Sequence, residues 1–418
     1  MNAIKNLDWL SFLIFFLRVI TILGSNRTAT NPSLQQEEQP KNFPLGFYAI
    51  RPERYFLTGL LPQNEYKWFI DNVPFVDFRD DEDILTAYYY RWQMYKKHIR
   101  FVKEKNIYVV TEFLPDVPWA GEYNTIPAAA GHHIMEGRWI HDERVLNDYI
   151  EFWFSDTSSK KQSRNNATSV KNPNLSSYTN WVGYASWHRY VLNGNATFVK
   201  SILDSLATTF RDIYVPKYLK EILWNDANAI RGSKKQQVLQ CWWQNDGYDA
   251  MEASISGNGC RPTIASVMYG EAEAIVKISD LVGGENNQDL KNEFTKWQEM
   301  SRSLILDYHW NPEIETFSVI PTVFDNHVVN DVVSHTLGDS NCDLASVRVP
   351  NRTVQVRELL AFIPWYFDSL IPADRTQEYL PMWRELFDPN GFYGEWGLRT
   401  AELRHPCYNY SYDHGDCW

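Results

Sequence analysis

Helical periodicity constrains the fold of this 418-residue chain more than any other feature. From Ile264, apolar residues keep to one stripe of a helix at Val267, Met268, Ala274, Ile275, Ile278 and Leu281, and Gly283-Gly284 ends it. A second stripe comprises Leu290, Phe294, Trp297, Met300, Leu304, Ile305 and Tyr308, before Pro312. Similar patterns predict helices over 84–102, 143–154, 178–192, 197–214, 356–370 and 376–387.

Helices of similar length, separated by long polar or aromatic loops, predict an all-α fold of antiparallel helical hairpins. No heptad is sustained, which excludes a coiled coil, and no fixed period indicates a solenoid. A closed ring of hairpins therefore fits best, with its long loops carrying the chemistry at one end. Two strand-like pieces, "NIYVV" and "TFSVI", are short and isolated. Since no second linker follows Pro44, we expect one domain over 44–418.

The N-terminus predicts a signal peptide or signal anchor over residues 1–24. Lys5 precedes an apolar run at 10–24, which Arg18 interrupts and which is shorter than the about 20 residues of a membrane span. A polar linker follows over 25–43. We expect a secreted or lumenal protein, which contacts a membrane only if this segment is an uncleaved anchor.

Glycosylation sequons agree with export. Six N-x-S/T triplets begin at Asn26, Asn166, Asn174, Asn195, Asn351 and Asn409. The five cysteines permit two disulfides, and Cys241–Cys260 and Cys407–Cys417 are plausible pairs among several. No C-x-x-C spacing suggests zinc.

Composition narrows the class of ligand. The formal charge of −12, without any basic run, argues against nucleic acid. The 17 Trp and 24 Tyr residues supply flat faces with a polar tip, which suit stacking on sugars as well as packing in a core. We therefore expect a carbohydrate substrate and an aromatic groove, with the best stacking candidates at Trp119, Trp242, Trp243 and Trp396.

The stretch "NDGYDAMEASISGNGCRPT", from Asn245, carries three carboxylates at three-residue spacing: Asp246, Asp249 and Glu252. Cleavage of a glycosidic bond needs a protonated acid and a second carboxylate, and nearby tryptophans can raise a carboxyl pKa by desolvation. The alternative is structural, with Asp246 capping the turn and Glu252 pairing with Arg261.

A second loop, "GHHIMEGRW", suggests a metal site at first sight. Adjacent His132 and His133 point in different directions, and their spacing to Glu136 matches no zinc motif. We therefore expect no metal and no cofactor. His132 and His133, with Arg138 in the same stretch and Arg261 after the acid-bearing loop, are instead expected to line a substrate groove.

Four blocks resemble the mannosylglycerate hydrolase-like glycoside hydrolases, relatives of glycoside hydrolase family 63 within the six-hairpin glycosidase superfamily. They are "DGYDAMEASISGNGCRPTIASVMYGEAEAIVKISDLVGG", "GHHIMEGRW", "RELLAFIPWYF" and "GFYGEWGLRTAELRHP", and the resemblance covers roughly residues 113–418. It implies an (α/α)6 toroid and an inverting, metal-independent hydrolase acting on an α-linked glycoside. It also implies Glu252 as general acid with Asp249 beside it, although Ala250 stands where glycine is common.

The resemblance also predicts that the toroid is incomplete at its C-terminus. The relatives continue past the Cys-Trp pair at 417–418 with closing helices, where the catalytic base is expected. Within these residues the fallback candidates for the base are Glu395 and Glu402. Two rival functions remain open at this point: a non-catalytic carbohydrate-binding toroid and a polysaccharide lyase.

Overall fold

The structure is a computed structural model that describes residues 51–77, 81–158, 178–225, 236–249, 254–322 and 352–408. Its described residues form two compact units. One comprises those up to Lys97, with Arg138–Asp142 and His188–Gly194. The other comprises the rest and holds all the residues of the candidate site. The boundaries predicted near residues 24 and 44 lie outside the described residues.

The chain is rich in helix, which is compatible with an all-α toroid. The α-helices are α1 (Glu53–Leu57), α2 (Tyr66–Asn72), α3 (Glu82–His98), α4 (Pro127–Gly137), α5 (Glu143–Ser158), α6 (Val182–Asn193), α7 (Ala196–Ser201), α8 (Leu203–Thr209), α9 (Val215–Tyr218), α10 (Pro262–Val282), α11 (Glu285–Ser303) and α12 (Thr376–Tyr379). Shorter 3₁₀ turns occur at Gln63–Glu65, Pro118–Ala120, Asp246–Tyr248, Leu359–Trp365 and Leu380–Phe387, and π-helical turns at Phe210–Tyr214 and Leu304–His309. In the described ranges no helix is both long and apolar enough to cross a membrane.

The two strongest helical predictions are confirmed. α10 follows Arg261 and ends at Val282, and Gly283 caps it with a φ of 71°, the left-handed conformation that favours glycine. Its residues are buried almost without interruption from Pro262 to Ile275, and it packs along α11. The apolar stripe of α10 is thus buried, and that of α11 is buried at Phe294 and half-buried at Leu290, Trp297 and Met300, as periodicity predicts for packed helices.

Four helical predictions are wrong in extent. α3 ends at His98, because the next four residues pair as a strand. The stretch 197–214 is interrupted at Ile202 and continues into a π-turn. The stretch predicted over 356–370 is helical only at Leu359–Trp365, and that predicted over 376–387 is mostly 3₁₀ helix. Pro364 and Pro381 in these segments lack the N–H that a regular α-helix needs.

The strands form more than the isolated pieces that the sequence indicates. They are β1 (Ile99–Val102), β2 (Ile107–Val110), β3 (Leu219–Asn225), β4 (Gln236–Gln244), β5 (Gly259–Cys260), β6 (Trp310–Asn311), β7 (Thr316–Phe317) and β8 (Ile320–Pro321). "NIYVV" pairs with β1, and "TFSVI" contributes to β7 and β8. An antiparallel sheet of order β3-β4-β5-β8 was not predicted, and it supports the candidate site.

A disulfide joins β4 to β5. Cys241 and Cys260 have Cα atoms 5.8 Å apart, and both residues are fully buried. This confirms one of the two pairs considered plausible from the sequence. The other includes Cys417, which lies outside the described residues. The disulfide fixes the two ends of the segment that carries the acidic residues.

Candidate functional site

The candidate site is built on the connection between β4 and β5, residues 245–258. Its ends are fixed by pairing of Gln244 with Gly259 and by the disulfide. At its start, the Asn245 side chain accepts the Gly247 N–H at 2.9 Å and caps the short 3₁₀ turn. Farther along, the Asn258 side chain accepts the Asp246 N–H at 2.9 Å. We call these residues the acid-bearing loop.

Asp249 is buried and held by two donors. Its Oδ2 accepts the Nε–H of Arg261 at 2.5 Å and the hydroxyl of Thr263. Asp249 is 5% exposed and Arg261 0%. Oδ2 thus takes two hydrogen bonds, one of them from a guanidinium, and the carboxyl group is held in one orientation.

Arg261 connects Asp249 to a second carboxylate through two serines. Its Nη1 donates to Ser254 Oγ at 3.0 Å, and Ser254 Oγ lies 3.1 Å from Ser256 Oγ. Ser256 in turn donates its hydroxyl, and more weakly its N–H at 3.4 Å, to the carboxylate of Glu358. We call the five side chains the Arg261 cluster: Asp249, Ser254, Ser256, Arg261 and Glu358.

The electrostatics of this cluster are those of one cation among several anions. Burial opposes the charged form of Arg261, but Asp249, Glu358 and Asp246 together outweigh it and raise the pKa of the guanidinium. Burial also raises the pKa of Glu358, against the opposing effects of Arg261 and of the hydrogen bonds from Ser256. The cluster can therefore hold a buried carboxylate beside the loop in a fixed position.

Glu252, the predicted general acid, lies outside the described residues. It stands in the sequence between Asp249 and Ser254, both of which are bound to Arg261. The structure thus places its neighbours on either side in the same cluster. The expected substrate contact of Arg261 is wrong for the described geometry, because the side chain is fully buried and donates to protein acceptors, including Gly257 O at 2.5 Å.

The four candidate tryptophans differ in exposure. Trp242 is fully buried, packs edge-on against Phe210 and donates its Nε1–H to Ser301 Oγ at 2.9 Å. It is a core residue, and the prediction that it stacks on a sugar is wrong. Trp243 is half-buried and Trp396 is 94% exposed, so both keep surface for a ligand. The side chain of Trp119 is outside the described part of the structure.

The histidines of α4 lie against aromatic rings. The exposed His132 packs edge-on against Trp181, with ring centroids 4.7 Å apart. His133 Nδ1 lies 2.9 Å from the Tyr149 hydroxyl, and burial lowers the pKa of this imidazole to about 3. His133 therefore packs α4 against α5 as a neutral ring. Arg138 belongs to the other unit, where its guanidinium lies 5.6 Å from the Trp139 ring.

The two fallback candidates for the base differ in environment. Glu402 is 4% exposed and accepts the Arg357 N–H at 3.0 Å and its Nη1–H at 2.9 Å. A carboxyl group bound in this way is turned toward protein. Glu395 is exposed. The choice between them remains a prediction.

Sequence reasoning missed Glu271, a buried carboxylate in the middle of α10. Its two oxygens accept the backbone N–H groups of Gly183 at 3.2 Å and Tyr184 at 2.8 Å, in the first turn of α6. A Cβ at Gly183 would stand 2.7 Å from Glu271 Oε2, so this contact requires glycine. Burial raises the pKa of Glu271 to about 8, although the two N–H groups oppose the shift. Glu271 therefore fixes the start of α6.

This raised pKa predicts a pH-dependent stability. The folded state keeps a proton on Glu271 up to a pH of about 8, whereas the unfolded state releases that proton near pH 4.5. The contribution of Glu271 to the free energy of unfolding is therefore complete at low pH and is lost as the pH rises to about 8. We expect Glu271→Gln to be more stable relative to wild type at pH 8 than at pH 5. Urea unfolding at both pH values, with the exposed Glu299→Gln as control, measures this. If Glu271→Gln and wild type differ in stability by the same amount at pH 5 and at pH 8, the prediction is contradicted.

One predicted glycosylation site lies in a described region. Asn195 caps α7, its Oδ1 accepting the Phe198 N–H at 3.0 Å and its Nδ2 donating to Glu143 at 2.5 Å. The amide is thus engaged on both sides in the folded protein. The other five sequons begin outside the described residues.

The comparisons with known proteins agree with the sequence resemblance. The model of the mannosylglycerate hydrolase MGH1-like glycoside hydrolase domain matches residues 122–418. Among solved structures 15 chains match, including one described as a sialidase. This chain is 25% identical to it, with a TM-score of 0.61, over 85% of this chain and 29% of that one. The chain thus spans under a third of that sialidase's length, and no curated protein matches.

Proposed function

Because the chain belongs to the mannosylglycerate hydrolase MGH1-like glycoside hydrolase domain family, we propose that it hydrolyses an α-linked glycoside with inversion of configuration. The family supports a glycosidase with a carbohydrate substrate. The observation that carries the assignment to a site is the buried Asp249–Arg261 pair, which fixes one carboxylate at the end of the acid-bearing loop. A glycosidase needs a second carboxyl group that can donate a proton.

In this proposal Glu252 is the general acid and Asp249 is its charged neighbour. Asp249 cannot move readily, because Arg261 and Thr263 both donate to Oδ2. A fixed negative charge three residues away in the sequence favours the protonated form of Glu252, as a proton donor to the leaving oxygen requires. Trp243 and Trp396 are the described rings that remain candidates for stacking on the sugar.

We also propose that the protein enters the secretory pathway. The apolar N-terminal run and the six sequons motivate this, and the Cys241–Cys260 disulfide is typical of proteins that fold in an oxidising compartment. A shift in gel mobility after endoglycosidase treatment of protein from a secretory host would support it.

A hydrolysis assay tests the proposed function. The purified chain is incubated with nitrophenyl α-glycosides of several hexoses, each paired with its β-anomer, and release of nitrophenol is followed. We expect release from at least one α-glycoside and none from its β-counterpart. Sugar binding without release would favour a non-catalytic toroid instead. Unsaturated, ultraviolet-absorbing products from a uronate polymer would favour a lyase.

A further inference from the structure

Glu358 is a buried carboxylate that the proposed chemistry does not use. It is 3% exposed and stands 102 residues after Ser256, whose hydroxyl and N–H it accepts. Its own backbone is fixed separately, by a β-bridge to Ala401 and by the Leu359 N–H, which donates to Thr400 O at 2.7 Å. The contact therefore joins an anchored segment to the acid-bearing loop.

An apolar contact supports the same junction. Ile255, between the two serines of the cluster, packs against the buried residues Val319, Val354, Val356 and Leu360. The loop is thus held both by a small hydrophobic cluster and by Glu358. Both contacts involve the segment that begins at Val354 and follows β8 in the chain.

Charge gives Glu358 a second role. The charged groups that face Arg261 are Asp249 and Asp246 from the loop and Glu358 from this segment. The neighbouring Arg357 is already occupied, since its side chain is bound to Glu402 and to Ile314 O. Arg261 is the cation that compensates Glu358, and it is also the donor that orients Asp249.

We propose that Glu358 is a positioning residue, which sets the orientation of Asp249 by holding Ser256 and by sharing the buried Arg261. The proposal rests on the proposed function of the acid-bearing loop. It implies that Glu358 and Asp249 are coupled, because each can compensate Arg261 when the other is neutralised. Loss of both would leave the buried Arg261 with Asp246 alone as a compensating anion, which is far less favourable than loss of either.

A double-mutant cycle on the full chain tests this coupling. Glu358→Gln, Asp249→Asn and the double variant are unfolded in urea and followed by tryptophan fluorescence. We expect the double variant to lower the unfolding midpoint by more than the sum of the single changes. Glu402→Gln replaces another buried carboxylate, one bound to Arg357, and should be additive with Asp249→Asn. If the shifts in midpoint of Glu358→Gln and Asp249→Asn simply add up in the double variant, the proposal is overturned.

If the double variant does not fold, Arg261→Met provides the second test. Without the guanidinium, Glu358 is a buried anion, so neutralising it should relieve a cost. Glu358→Gln is therefore expected to lower the midpoint of wild type and to raise that of Arg261→Met. A shift of the midpoint in the same direction in wild type and in Arg261→Met would overturn the proposal.

A pH profile distinguishes positioning from mere stability. Removing the negative charge of Glu358 favours ionisation of carboxyls in the loop, so the alkaline limb of kcat/KM should move to lower pH by about 0.5–1 unit in Glu358→Gln. Glu299→Gln, an exposed change on α11, should leave the limb in place, and an unmoved limb in Glu358→Gln would count against positioning. Absence of hydrolysis by wild type would count against the proposed function alone, since the unfolding cycle needs no substrate.

Discussion

Replacing Arg261 with methionine is expected to lower the free energy of unfolding by about 3–5 kcal/mol. The side chain is fully buried, and its Nε lies 2.5 Å from Asp249 Oδ2. Glu358 and Asp246 also face the guanidinium. Methionine fills a similar volume but leaves these carboxylates without a cation. Urea unfolding monitored by tryptophan fluorescence gives the difference.

An exposed arginine provides the matched control. Arg384 donates to Glu315 at 2.9 Å, but its side chain is 72% exposed. Exposed ion pairs contribute about 0–1 kcal/mol, so Arg384→Met should change stability by no more than that. Losses of equal size for Arg261→Met and Arg384→Met would show that the buried cluster is not a major source of stability.

Glu252→Gln is expected to reduce kcat by about 10²–10⁴-fold on alkyl glycosides, which have poor leaving groups. A general acid protonates the departing oxygen, so the loss should be much smaller for dinitrophenyl glycosides, whose leaving group needs little protonation. Glutamine keeps the shape of the side chain and removes the proton. Steady-state kinetics with the two kinds of substrate separate these cases.

Two variants accompany this measurement. Asp249→Asn should reduce kcat less and should also lower stability, because Arg261 loses its nearest anion. Glu299→Gln, an exposed change on α11, should alter neither. If the loss of kcat depends more strongly on the leaving group in Asp249→Asn than in Glu252→Gln, then Asp249 rather than Glu252 is the proton donor.

Periodicity predicted the long helices well, because α10 and α11 are amphipathic or apolar over many turns and α10 is capped by Gly283. It failed where geometry depends on distant pairing. β3 and β4 are joined through a register that pairs Leu219 with Trp242, and helical patterning does not encode such a partner. The prediction that Trp242 stacks on a sugar failed for the same reason. Side chains alternate between the two faces of β4, so Trp242 points into the core and its neighbour Trp243 is half-buried.

The site was predictable where its residues are close in sequence. Asp249 and Arg261 stand in one short stretch, and the structure joins them directly. Glu358 and Glu271 reach their partners across 102 and 88 residues, so no local pattern connects them. The one available signal was a glutamate within an otherwise apolar stretch, as in "GEAEAIV" or "RELLAFIP", since such a residue is buried only with a partner.

Proton NMR of the first product tests the central claim most directly. The wild-type chain is mixed with an α-glycoside that it cleaves, and the anomeric signals are recorded before mutarotation equilibrates them. An inverting glycosidase predicts that the β-hemiacetal accumulates first. Accumulation of the α-hemiacetal first would contradict inversion, and intact substrate across the whole panel of α-glycosides would contradict glycosidase activity.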